Sequence, residues 1–236
     1  MSDASMTTMV EYQIRAENTS MDAWLDEWEK RAEDALHGEP ETSAYAAAIN
    51  VEDETNVLVF ERYEQGDRSL KFHMDRHAHT TLIETMGERR MTKRRVMSAR
   101  YPDVPDYGWW SRHTTADPGR EGAIIVILGL RFADDAKRAA FIELSSGHAA
   151  YCWESEPDTL IYSGGIAAAD ADRELDLKAG DLVFVMACTN MAAVDKHSND
   201  PQHIALGPKL AEQGIVLEPK FMRTYRTTGR GFLWKR

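Results

Sequence analysis

Four histidines sit in a frame that occurs twice. His73 follows Phe60 by thirteen residues and His79 follows His73 by six; His197 follows Phe184 and His203 follows His197 by the same intervals. Imidazole titrates near neutrality, so a histidine in a pocket can take a proton from a bound molecule and return it. The neighbours suit an aromatic ligand. The first half supplies Tyr63 as a further catalytic candidate, with Asn18, Trp24, Trp28 and Tyr45 as binding candidates; the second supplies His148, Trp153 and Tyr162. Each has a plainer reading: Trp24 and Trp28 at helical spacing are ordinary core residues, Asn18 shapes a turn, and His73 and His197 bond a backbone carbonyl at a helix kink.

Residues 59–101 slide onto 183–225 without a gap, pairing Val59 with Val183, Leu82 with Leu206 and Tyr101 with Tyr225 as well as the histidines. Upstream, Glu39-Pro40 and Tyr45 lie over Glu156-Pro157 and Tyr162. Landmarks in the same order make the chain a tandem repeat.

The elements that must position these groups follow from periodicity. Val10, Tyr12 and Ile14 alternate with polar residues as in a strand. Thr19-Ser20-Met21-Asp22 offers a helix cap, and Trp24, Trp28, Ala32 and Ala35 recur at helical spacing until Gly38. Strands are expected at 44–51 and 56–63, a helix from 67 or 69 to about 86, and a strand at 93–101. The second half has strands at 123–131, 160–168, 181–189 and 215–226, with helices at 134–151 and 192–210. Both read β-α-β-β-α-β, an α+β, ferredoxin-like order. The continuous apolar runs at 124–128 and 182–186 require cover on both faces, helices on one and the other repeat's sheet on the opposite one. We assign 1–101 and 123–236 to the repeats and 102–122 to a linker. Its Tyr107, Trp109 and Trp110, like the tail Gly231-Phe232-Leu233-Trp234, are too apolar for a free tether and are expected to pack.

Hydrophobic residues make up 43% of 236, enough for packed cores, and the formal charge of −11 opposes non-specific nucleic-acid binding. The basic run from Arg89 to Arg95 reads as a solvated face, or as an attractor of a small anion. No apolar run is long enough for a membrane span, and the polar start lacks a signal peptide's apolar segment. Cys152 and Cys188 form no disulfide framework and are expected only to fill core; we expect a cytoplasmic protein. Ser163-Gly164-Gly165 and Gly229-Arg230-Gly231 lack the setting of a nucleotide loop, and Ser145-Ser146-Gly147-His148 lacks the strand before a nucleophile elbow. On an unbroken helix His73 and His77 would share a face and could hold a metal with Asp75, but Asn199 and Pro201 replace Asp75 and His77 in the second copy, and Pro201 there suggests that the helix restarts. No metal and no cofactor are expected.

Glu39-Pro40, Tyr45, the strand ending Glu61-Arg62-Tyr63 and the helix with Ser69-Leu70 and His73 resemble the antibiotic biosynthesis monooxygenase family of the dimeric α/β-barrel superfamily, as do Glu156-Pro157, Tyr162 and His197 to His203. Tyr63 departs from the family's usual Trp, and Val185-Met186-Ala187 has lost the Glu-x-aromatic feature. The resemblance implies two ferredoxin-like repeats forming one barrel within one chain, a fused pseudo-dimer that could associate further as a homodimer. It also implies a cofactor-independent monooxygenase of secondary metabolism, acting on an aromatic polyketide-like phenol or anthrone with molecular oxygen. Decarboxylation, cyclisation or isomerisation in the same pocket, or ligand binding without catalysis, are the alternatives; a haem role is not favoured, since no paired His and Trp environment is evident.

Overall fold

Alternation along the strands decides which side chains face which layer. In the computed structural model, which describes residues 4–112, 121–173 and 175–234, the first repeat runs β1 (Met6–Ile14), α1 (Met21–Gly38), β2 (Thr42–Asn50), β3 (Asn56–Tyr63), α2 (Gly66–Met74), α3 (His77–Glu88) and β4 (Thr92–Pro102). The second runs β5 (Ile124–Arg131), α4 (Asp135–Ser155), β6 (Thr159–Ile166), β7 (Asp172–Arg173), β8 (Leu182–Cys188), α5 (Met191–Ser198), α6 (Pro201–Ile204), α7 (Leu206–Glu212) and β9 (Glu218–Phe232). Residues 113–120 of the expected linker lie outside the described residues. Ser20, Asp134 and Asn190 cap α1, α4 and α5, each side-chain oxygen accepting from the backbone N–H three residues on.

All the pairings are antiparallel, in the order β6-β8-β5-β9-β2-β3-β1-β4-β7. Each repeat contributes a four-stranded ferredoxin-like sheet, β2-β3-β1-β4 or β6-β8-β5-β9. Strand β9 joins them by pairing with β5 along one stretch and β2 along the next. At the other seam Asp103 bridges Gly165, Trp109 bridges Tyr162 and Val104 N donates to Gly164 O at 3.0 Å, which closes the sheet into a barrel. Met9, Ala46, Leu58, Phe60 and Met97 meet Ile125, Ile127, Val183, Val185 and Tyr225 in one interior core. The opposite parity, Tyr45, Ala47, Val57 and Val59, faces Trp24, Leu25, Trp28 and Leu82 of the helices. Both faces of the apolar strands are thus covered, by helices outside and by the other repeat inside.

The structure corrects three expectations. The helix expected to end near 86 is broken at Asp75 and Arg76, whose extended backbone (φ −73°, ψ 140°) lets the Arg76 guanidinium hold both Asp34 oxygens at 2.6 Å and reach Gly38 O at 3.3 Å. Its counterpart over 192–210 is three segments, with Pro201 opening α6. The last strand does not stop at Arg226: the tail continues it to Phe232, because β2 offers a free edge to pair with. The linker aromatics pack, Tyr107 against the helix side of the second repeat and Trp110 against the barrel core.

Gly231 stands at this junction with φ +77°, and a Cβ there would lie 2.2 Å from Tyr45 O and 2.7 Å from the Trp28 ring. Gly231→Ala combines left-handed backbone strain with overpacking and is expected to cost about 2–4 kcal/mol in urea unfolding.

Candidate functional site

Glu39 ends α1, and its carboxylate is the knot of the first repeat. Thr42 Oγ1, at the start of β2, donates to Oε2 at 2.7 Å; His73 Nδ1, from α2, lies 2.9 Å from the same oxygen; Arg31 of α1 donates to Oε1. His73 Nδ1 thus stands between the Glu39 carboxylate, which only accepts, and Arg31 Nη2 at 2.7 Å, which only donates. Burial would raise the Glu39 carboxyl, but the hydrogen bond and field of His73, with Thr42 and Arg31, outweigh it and bring it down to about 2.

The His79 ring stands 5.4 Å from that of His73, centroid to centroid. Desolvation first, then the fields of His73 and Arg31, push His79 down to about 4, so it is neutral at physiological pH. Its Nδ1 is buried without a hydrogen-bond partner, and the tautomer is not pinned. His79 borders a cavity of about 350 Å³ walled by Tyr12, Trp24, Trp28, Tyr45, Leu82 and Met86. Arg15, Arg90 and Glu61 also border it. The Glu61 carboxyl is raised by desolvation and accepts from Tyr63 Oη at 2.7 Å. The Arg15 Nε is buried without a partner.

The second repeat repeats the knot: Glu156 Oε2 receives Thr159 Oγ1 at 3.0 Å and lies 2.8 Å from His197 Nδ1. His197, His203 and Tyr162 border a second cavity of about 400 Å³, otherwise walled by Leu128, Leu130, Phe141 and Phe184. Ser145 Oγ bonds Tyr162 Oη at 2.9 Å, where Trp28 Nε1 donates to Tyr45 Oη at 3.1 Å in the first repeat.

Of the residues singled out from sequence, Trp24, Trp28, Tyr45 and His79 meet at the first cavity and Tyr162, His197 and His203 at the second. Trp24 and Trp28 are also core, each 1% exposed, so their two readings coincide. His73 and Tyr63 sit behind the wall, touching edge to face at 5.5 Å. Asn18 is exposed and holds Arg90 O at 3.1 Å, which shapes a loop beside the cavity and corrects its reading as a ligand contact. Trp153 is likewise outside, packed on Trp109 and Arg112. His148 borders a separate polar cleft of about 420 Å³. His77 is exposed and lies beyond the helix break, so it shares no helix face with His73. Sequence reasoning missed Glu61 as a site residue. Its clue was parity: Val57, Val59, Glu61 and Tyr63 share one strand face, and an acid on a buried face calls for a reason.

No protein-family model matches the chain, and no curated protein matches it in sequence. Solved structures do match in fold. A candidate monooxygenase from Lactobacillus acidophilus covers 97% of this chain and 98% of its own at TM-score 0.70 and 13% identity. One from Fusobacterium nucleatum covers 97% and 93% at TM-score 0.70 and 10% identity. An anthrone oxidase-like protein covers 96% and 92% at TM-score 0.57 and 13% identity. The chain shares the two-repeat α+β barrel fold of these proteins. Within that fold the repeats have diverged: Tyr45 pairs with Glu61 in the first repeat and its counterpart Tyr162 with Met186 in the second. Met186 and Cys188 therefore stand where the first repeat has Glu61 and Tyr63, and the gapless sequence alignment is one residue out of register on this strand.

The Glu39 carboxyl is depressed in the folded state, so its stabilisation is present above its unfolded value near 4.5 and is lost as pH falls toward 2. Wild type is expected to exceed Glu39→Gln in urea-unfolding free energy by a margin that shrinks by up to about 3 kcal/mol between pH 5 and 2. A margin independent of pH would show that the pair is not ionised.

Proposed function

We propose that the chain is a cofactor-independent monooxygenase whose first cavity oxidises an aromatic polyketide-like phenol or anthrone. The observation that carries this reading is a neutral, unpinned His79 on the wall of an aromatic cavity that also holds an elevated Glu61 carboxyl. About 350 Å³, bounded by indole and phenol rings, suits a flat fused-ring ligand. The second cavity has no counterpart of Glu61, which favours the first as the working one.

His79 takes the acidic proton of the substrate, and the resulting anion is the electron donor to oxygen. Arg15, with its unpartnered Nε, and Arg90 at the same cavity stabilise the negative oxygen. Burial, then the field of His73, keeps the ring neutral, and an anion opposite His79 opposes both, so proton transfer becomes more favourable when substrate is bound. For an anthrone, a carbon–oxygen bond forms to O₂, and the peroxide loses water as its second C–H proton leaves and the O–O bond breaks. One CH₂ and one O₂ become one C=O and one H₂O, with no external reductant.

The test is oxygen uptake by metal-stripped protein on a panel of anthrones and polyhydroxynaphthalenes, with products followed by mass. His79→Ala is expected to lower kcat about 10²-fold or more and Glu61→Gln to lower it as well, while the exposed His77→Ala leaves it unchanged. Because His79 becomes a proton acceptor above about pH 4, kcat/KM should hold as pH falls through 6 and decline only toward 4. Product formed equally under nitrogen would assign the cavity to non-redox chemistry instead.

A further inference from the structure

Helix α4 carries His148 and Cys152 four residues apart, hence on one face. The Cys152 Sγ lies 3.4 Å from His148 Nε2 and 3.8 Å from His197 Nδ1 of α5, and one donor atom from each of the three residues falls within 4.8 Å of the others. All three are buried, at 5%, 0% and 4% exposure. A tetrahedral ion with bonds of about 2.3 Å to sulfur and about 2.1 Å to nitrogen separates those atoms by roughly 3.6 Å. The two observed distances straddle that value.

Comparison of the repeats shows what this cluster replaces. Arg31 and Ala35 stand eight and four residues before Glu39; His148 and Cys152 stand eight and four before Glu156. In the first repeat the Arg31 guanidinium supplies the positive charge between Glu39 and His73, approaching His73 Nδ1 at 2.7 Å. The second repeat keeps the carboxylate, the threonine and the histidine but exchanges the guanidinium for an imidazole and a thiol. Glu156 Oε1 and the nearby His203 Nδ1 are buried without hydrogen-bond partners.

We propose that His148, Cys152 and His197 bind a divalent transition-metal ion of the zinc class, which takes the electrostatic place that Arg31 holds in the first repeat. Binding releases the Cys152 thiol proton to solvent, and the His197 ring carries its proton on Nε2 so that the Nδ1 lone pair is the ligand. The thiolate and the Glu156 carboxylate then balance the two charges of the ion, and mixed nitrogen and sulfur donors suit this borderline-soft class. Three protein donors leave a fourth position for water or a small oxygen ligand. His197 and His203 border the second cavity, which gives that position its approach. The second repeat is thereby a metal centre distinct from the oxygen chemistry of the first.

The experiment uses the full chain, chelator-treated, reduced and desalted, titrated with Co²⁺ and then with Zn²⁺. One equivalent of Co²⁺ is expected to give a thiolate-to-cobalt charge-transfer band in the near ultraviolet, which Zn²⁺ abolishes, and native mass spectrometry should find one Zn²⁺ retained. Cys152→Ser should lose the band and Cys188→Ser should keep it. His148→Arg with Cys152→Ala copies the first repeat, so that variant should melt cooperatively and bind no ion. Absence of the band in wild type overturns the proposal, and so does a band that survives unchanged in Cys152→Ser or in the folded double variant.

Discussion

Each repeat is held together at one buried carboxylate. Glu39 and Glu156 are the last residues before the chain leaves its long helix, and each binds the first turn of the next strand through a threonine and the following helix through a histidine. A helix end, the start of the next strand and a histidine 34 or 41 residues further on converge on one carboxylate. A carboxylate buried in this way is tolerable only while every partner is in place, so the contact sets the position of the helix layer on the sheet. The cavities lie beside that contact, and their shape depends on it.

The same contact determines the chemistry that each cavity can support. In the first repeat burial, reinforced by the field of His73 and Arg31, keeps His79 neutral and able to accept a proton. Arg31 is a permanent cation and cannot be a ligand. In the second repeat, at the same place, His148 and Cys152 are both donors to a metal. A change of two residues on one helix face therefore separates a proton-transfer environment from a coordinating one, while the carboxylate, threonine and histidine around them stay the same.

Much of this was legible in the sequence, because periodicity and repeat spacing are local. The strand at 56–63, the caps at Ser20 and the paired histidines were read from residue pattern alone. What escaped depended on partners distant in sequence. Pro201 announced a helix restart, whereas the break at Arg76 has no such mark, since its cause is Asp34 on another helix. The extension of β9 to Phe232 exists because β2 of the other repeat presents an edge there, and no local pattern encodes that register. The metal-type cluster had a sequence trace, a histidine and a cysteine four apart on one helix. Taken alone the cysteine looked like core filling; its meaning came from His197 and from the contrast with Arg31.

Fusion of two repeats into one chain explains how such asymmetry can exist. A barrel made from two identical chains has symmetric cavities, and any substitution falls on both. Here one polypeptide supplies both sheets, so Glu61 can have Met186, and Arg31 can have His148, as its counterpart across the pseudo-twofold relation. The barrel interior constrains both repeats alike, because Met9, Leu58 and Phe60 pack directly on Ile127, Val183 and Tyr225. The helix side shares less: apart from the end of β9, where Phe232 joins the cluster of Trp24 and Trp28, the residues against the helices form separate clusters in the two repeats. Divergence is therefore cheap on the outer face of the sheet and costly within the barrel, and the chemical differences between the repeats lie on that outer face.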